Sequence, residues 1–253
     1  FAKRLLVQSF KSNSDTTTLA QVWAEDEKTF PVELGEITGK INDLHSCLNL
    51  NAVFPEESKE ENSGREKSIS LAGEALRRLI PLLEVEDIGE FEAEAMTDAL
   101  ADWIDDDSSI FSSSGAEDDD YASKEFAYYA ANSTMSSVNE LRVIEHFTPE
   151  VIIALSDYVC VLPGSSGHKI NVNTLDKEKP ELLLALLGEH GTREIAENVL
   201  AAIPDNGFKK IDDFLAIDDL KTLKGFSRYK DQFVVDSDYF KLTAKTSFNE
   251  SYV

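Results

Sequence analysis

The sequence predicts an α+β fold: a small antiparallel sheet built from the two ends of the chain, with a large helical block inserted between them. Two strand-like segments and one long helical stretch carry that expectation. Around residue 40, Gly35, Ile37, Gly39 and Ile41 alternate with polar residues at the period of two that marks a half-buried strand. Around residue 240, Phe240, Leu242, Ala244, Thr246 and Phe248 share one face while Lys241, Thr243, Lys245 and Ser247 share the other. Between them, from about 68 to 222, helical periodicity dominates. Pairing the two ends in one sheet gives a sheet domain of residues 1–54 and 223–253, and an inserted α-helical domain of residues 55–222.

Before the first strand, Leu5, Leu6, Phe10, Leu19, Val22, Trp23 and Phe30 precede any Gly or Pro, so much of this segment is expected to be helical, loosened by the polar stretch 12–18. The charged run from Pro55 to Lys67 reads as a solvated linker. Ala72, Leu76, Leu79, Ile80 and Leu83 fit one amphipathic helix, and Met96, Ala99, Leu100, Trp103 and Ile104 fit a second. Ser137 and Glu140 have capping-box spacing, and Thr148-Pro149-Glu150 sets an N-cap before a proline whose missing donor costs nothing at a first helical turn. Leu182, Leu183, Leu186 and Leu187 suggest one further helix, and Ile195, Ala196, Val199, Leu200 and Ile203 another that Pro204 stops. The two Leu-then-Ala-rich helix pairs, 76–105 and 182–205, faintly echo each other.

The 253 residues carry 48 Asp and Glu against 24 Lys and Arg, a net charge of −24. Nucleic-acid backbones and anionic lipid surfaces are bound by displacing counterions with basic side chains, so both are excluded as first readings. The segment 170–215 is similar to helix-hairpin-helix units, yet its hairpin, Leu187 to Thr192, carries Glu189, and no nucleic acid is expected. There is no apolar run long enough to span a bilayer. His45, His146, His168 and His190 lack zinc spacing, no GxSxG or P-loop is present, and Asp102 with Asp105 is a common solvated-face spacing, so no enzyme is expected. Cys47 and Cys160 are either one disulfide or two buried thiols.

The most concentrated feature lies at 105–120, where Asp105, Asp106, Asp107, Glu117, Asp118, Asp119 and Asp120 crowd together. Seven carboxylates repel unless water or a cation separates them. Calcium accepts six to eight oxygen donors in flexible geometry, which suits a loop of Asp, Ser and carbonyl groups, although the spacing is not that of an EF-hand. A solvated acidic loop and a calcium site are the two readings.

Taken in order, Gly39-Lys-Ile41-Asn-Asp43-Leu44, Cys47-Leu-Asn49-Leu50-Asn51, Ala101-Asp102-Trp103-Ile104-Asp105, Gly115-Ala116-Glu117-Asp118, Tyr121, Ala131-Asn132, Glu140-Leu141-Arg142, Tyr158-Val-Cys160-Val-Leu162-Pro163 and Ile170-Asn171-Val172-Asn173-Thr174 resemble the type II secretion system protein K family, the largest minor pseudopilins. The resemblance covers nearly the whole chain. It implies a pseudopilin fold, an N-terminal helix on a small antiparallel sheet, with a large inserted all-α domain that contains helix-hairpin-helix or SAM-like units. It implies a place at the tip of the periplasmic pseudopilus in complex with minor pseudopilins I and J, helping to initiate its assembly. Calcium is the implied cofactor, with Asp105, Asp107, Glu117 and Asp118 as the foremost ligands and Asp119 and Asp120 beside them. The same resemblance pairs Cys47 with Cys160 as a periplasmic disulfide. Leu5, Leu6 and Phe10 would pack against partner helices, and the inner-membrane anchor of the family would precede Phe1. The chain ends soon after the strand at 239–248, so a final strand of the family fold is expected to be missing from it. The alternative class is a calcium-dependent module that recognises exoproteins or the secretin channel.

Overall fold

A computed structural model describes residues 2–12, 15–25, 28–33, 35–54, 68–248 and 251–252. The expected linker at 55–67 lies outside the described residues.

The sheet is antiparallel with strand order β1-β2-β7-β8, where β1 is Lys28–Val32, β2 Gly35–Asp43, β7 Phe240–Phe248 and β8 Ser251–Tyr252. Its centre joins the two ends of the chain, with Asp43 opposite Phe240 and Gly35 opposite Phe248. The two strands recognised from their alternation are therefore direct partners. The short β8 is a strand the sequence does not announce.

Helix α1, Ala2–Ser12, is shorter than expected. The stretch after it is not loosened helix: Thr16, Thr17 and Thr18 are buried. The Thr17 N–H donates to the Val235 carbonyl at 2.9 Å, and its hydroxyl accepts the Ser237 N–H at 3.1 Å. These bonds hold the backbone extended against 235–237, and a helix cannot continue through a segment whose donors are so used. Phe240 is flanked edge-on by Phe10 at 6.0 Å and Trp23 at 5.1 Å, which seats the end of α1 on one face of the sheet.

The helical block starts from β3, Leu48–Asn49, and runs through α2, Leu71–Leu82, α3, Glu90–Ile104, α4, Asp118–Ala122, and α5, Pro149–Leu155, to β4, Val159–Cys160. It continues from β5, Ile170–Asn171, through α6, Pro180–Leu186, α7, Arg193–Ala201, α8, Ile211–Leu215, and α9, Asp218–Thr222, to β6, Phe233–Val234. Each half opens and closes with a two-residue strand, paired in parallel: β3 with β4, and β5 with β6. Helix α2 packs on α3 and on α6, and α6 on α7, so the two helix pairs share one core. Leu76, Leu79, Met96 and Leu100 are buried there with Leu183, Leu186, Val199 and Leu200. Leu48, Leu50, Phe226 and Phe233 belong to the same cluster.

The expected caps form. Thr148 Oγ1 accepts the Val151 N–H, and Glu140 accepts the N–H groups of Ser136 and Ser137, although the segment that follows, Val138–Val143, is a 3₁₀ rather than an α-helix.

Each half is also pinned by a pair of asparagines. Asn49 and Asn171 each accept the N–H two residues on, starting a 3₁₀ turn. Asn51 donates to the Met135 and Leu162 carbonyls and accepts the Met135 N–H; Asn173 donates to the Phe208 and Val235 carbonyls and accepts the Phe208 N–H. The two halves thus share a matched set of side-chain bonds outside the helices.

Cys47 and Cys160 form a disulfide, which ties the start of β3 to β4.

Candidate metal centre

Helix α3 delivers three carboxylates to one end of the acidic loop. Asp98, Asp102 and Asp105 recur at four- and three-residue spacing, which places them on one face of the helix. Each has a separate task. Asp98 is buried, pairs with Arg77, and accepts the Ser112 hydroxyl at 2.5 Å. Asp102 is fully buried, and its two oxygens accept the N–H groups of Phe111 at 2.7 Å and Ala116 at 2.8 Å. The loop 106–116 is therefore wrapped around the Asp102 carboxylate. Asp105 stands at the C-cap of α3, where the helix ends and the loop begins.

Wrapping the loop this way returns the chain to its starting point. Asp105, Asp107 and Glu117 each present a carboxylate oxygen within 4.8 Å of the others. Asp105 and Glu117 are buried, and Asp107 is half-buried. Neither carboxylate oxygen of Glu117 has a hydrogen-bond partner among the described residues. Burial, with the charges of Asp105 and Asp118 adding to it, pushes the Glu117 carboxyl up to about 7. Burial is also the main cause that pushes Asp102 up to about 7, against the opposing effect of its two backbone hydrogen bonds. A buried carboxylate with unsatisfied oxygens among like charges is costly, and a hard divalent cation supplies both the missing ligand and the missing charge. The residues present fit such an ion.

Of the six ligand candidates, the structure groups Asp105, Asp107 and Glu117. The others stand beside them: Asp118 Oδ1 accepts the Ala130 N–H at 3.0 Å, Asp120 Oδ2 accepts the Glu117 N–H at 3.0 Å, and Asp119 is exposed. Asp102 and Asp105, whose spacing suggests a solvated face, are instead buried, and Asp98 is not prominent in the sequence, because a buried carboxylate that accepts local donors looks like any polar residue on a helix. The spacing the three share is the available signal.

Behind the centre, Trp103 meets Tyr121 edge-on at 5.3 Å, and Tyr121 stacks with Tyr128 at 5.2 Å. The Lys124 ammonium lies over both tyrosines and pairs with Glu145 at 2.5 Å. These rings close the dry side of the loop.

The fold and this loop define a mixed helix and small-sheet protein with an acidic centre in its helical block. The family described as type II secretion system protein K matches residues 46–164 and 170–236. A protein K of Aeromonas hydrophila is 38% identical over 208 residues, 82% of this chain and 61% of the relative. One of Pectobacterium carotovorum is 32% identical over 211 residues, 83% of this chain and 61% of the relative. The chain thus spans about three-fifths of the length of these curated relatives. A crystal structure of a GspK–GspI–GspJ complex from the enterotoxigenic Escherichia coli type 2 secretion system is similar at a TM-score of 0.85 and 30% identity, covering 99% of this chain and 83% of that chain. The chain belongs to the type II secretion system protein K family.

Proposed function

We propose that this protein is a minor pseudopilin of type II secretion, a non-enzymatic subunit that caps the tip of the periplasmic pseudopilus and helps to start its assembly with minor pseudopilins I and J. The observation that carries this reading is the likeness, over 99% of the chain, to a structure solved as a GspK–GspI–GspJ complex. A helical block this much larger than the sheet would obstruct a further subunit from adding above it. The sheet-forming ends, 1–54 and 223–253, make the pseudopilin part, and 55–222 is a largely helical inserted domain in which α2–α3 and α6–α7 are the helix-hairpin-helix-like units; it is not all-α, because it holds the two-residue strands β4 and β5, and its core reaches past those boundaries to Leu48 and Phe233.

Leu5, Leu6 and Phe10 are the helix residues offered to partner pseudopilins; Leu5 and Leu6 are half-buried, and Phe10, against Phe240, keeps 38% of its surface exposed. No helix among the described residues is long and apolar enough to cross a membrane. Asp105, Asp107 and Glu117 would hold calcium in the loop, with Asp118 adjacent, and Asp119 and Asp120 as outlying acids. Its role is structural: it fixes the 105–120 loop on the helical block.

Co-purification with pseudopilins I and J, each with its complete helix, tests the assignment. A stable ternary complex is expected. Failure of the three to associate while each is folded contradicts it.

A further inference from the structure

Beside the acidic loop, and sharing Asp120 with it, lies a cleft of about 800 Å³. Its floor is apolar: Ile88, Phe91, Ala95 and Met96 come from the first turns of α3 and the residue before its cap. Phe91 is 72% exposed, an expensive position for an aromatic ring with nothing over it. One wall is the acidic loop itself, at Ser113, Ser114 and Gly115, and the opposite wall is the segment from Glu145 to Thr148. His146 bridges the walls, its Nε2 3.1 Å from the Ser114 carbonyl, and it does so from a left-handed backbone with φ 69°. Strain of this kind, about 1–3 kcal/mol, persists where the surroundings enforce a particular shape.

The rim is acidic. Glu92, Asp120 and Glu145 reach it against a single cation, Lys124, which is already committed to Glu145. An apolar floor inside a negative rim complements an apolar side chain flanked by positive ones, and repels an acidic segment.

We propose that this cleft is a docking site for an extended segment of a protein partner in which an apolar side chain sits between lysines or arginines. Phe91 receives the apolar group above the buried Met96, and Glu92 and Asp120 face the basic ones. The proposal rests on the cation-loop reading only for the rigidity of one wall.

The chain has two methionines, which gives the test a built-in control: Met96 lines the cleft and Met135, buried against Asn51, does not. The 253-residue protein carrying ¹³C-methyl methionine is titrated in millimolar calcium with acetyl-Lys-Phe-Lys-amide, and separately with acetyl-Glu-Phe-Glu-amide. The basic peptide is expected to move the Met96 signal saturably and leave Met135 in place, and the acidic peptide to move neither. Phe91→Ala, a change at an exposed ring that leaves the core intact, is expected to weaken the basic peptide at least 10-fold. An unmoved Met96, equal shifts with both peptides, or undiminished binding in Phe91→Ala overturns the proposal. Calcium alone, added to chelated protein and read by tryptophan fluorescence beside the loop, judges the cation reading separately. Peptide binding with no response to calcium leaves the cleft standing and removes the ion.

Discussion

Asp102 occupies the space that a side chain at Gly115 would need: a Cβ placed there falls 2.0 Å from the Asp102 Oδ2. The close approach is what lets that oxygen take the Ala116 N–H and hold the loop in place.

Gly115→Ala is therefore expected to displace the Asp102 carboxylate, at a cost of about 1–3 kcal/mol for the overpacking alone. Chemical unfolding measures it. The same variant is expected to lose calcium affinity, because Glu117 is carried two residues further along the loop; wild-type stability in Gly115→Ala would show that the loop is not built on Asp102.

Asp43 is the joint between the sheet and the helical block. Its carboxylate accepts the His45 N–H at 2.8 Å, the Asn171 side chain at 3.3 Å, and the hydroxyls of Thr174 at 2.5 Å and Ser237 at 2.6 Å. Removing an acceptor from buried donors costs about 1–3 kcal/mol for each group left without a partner. Asp43→Ala is expected to lose about 3 kcal/mol or more in chemical unfolding, and more than Asp119→Ala at an exposed acid. Equal losses in the two would contradict the joint.

The cysteine pair closes a span of 113 residues across the first helical half. Replacing both cysteines with alanine is expected to lower stability by about 2–5 kcal/mol, the usual range for a native disulfide, and thermal unfolding checks it. Unchanged unfolding in the double variant would show that hydrogen bonds alone fix β3 to β4.

His168 gives the protein an acid-sensitive limb. Burial pushes its imidazole down to about 4, while the hydrogen bond with Gln232 at 2.9 Å works in the opposite direction. An unfolded chain takes up the proton near the ordinary value of 6.5, and the folded protein resists until about 4. The unfolded state therefore binds more protons across that window, so stability is complete above it and falls as pH drops through it. Stability measured at pH 7 and pH 4.5 is expected to differ less in His168→Gln than in the parent; an identical difference would remove His168 as a cause.

The strands at 35–43 and 240–248 were legible because strict alternation leaves little choice of face, and their pairing followed from there being two such segments at opposite ends of the chain. The α2–α3 and α6–α7 helices were legible from apolar periodicity. The end of α1 was not, because Ser, Asn and Thr at 12–18 suit frayed helix and extended chain equally, and the partner that decides between them, 235–237, lies more than two hundred residues away. The matched asparagines of 49–51 and 171–173 were visible as motifs, yet their duty depended on carbonyls at Met135, Leu162, Phe208 and Val235 that no local pattern reveals. In the site, acid density located the loop, while the separation of Asp105, Asp107 and Glu117 from Asp118, Asp119 and Asp120 came from the wrap around Asp102.

Calorimetric titration of chelated full-length protein with calcium, in parallel with Glu117→Gln, bears most directly on the loop as an ion centre that organises the helical block. Saturable binding with a raised unfolding temperature is the predicted result, lost or weakened at least tenfold when the buried Glu117 carboxylate is neutralised. No heat of binding and no change in unfolding temperature at millimolar calcium would contradict it.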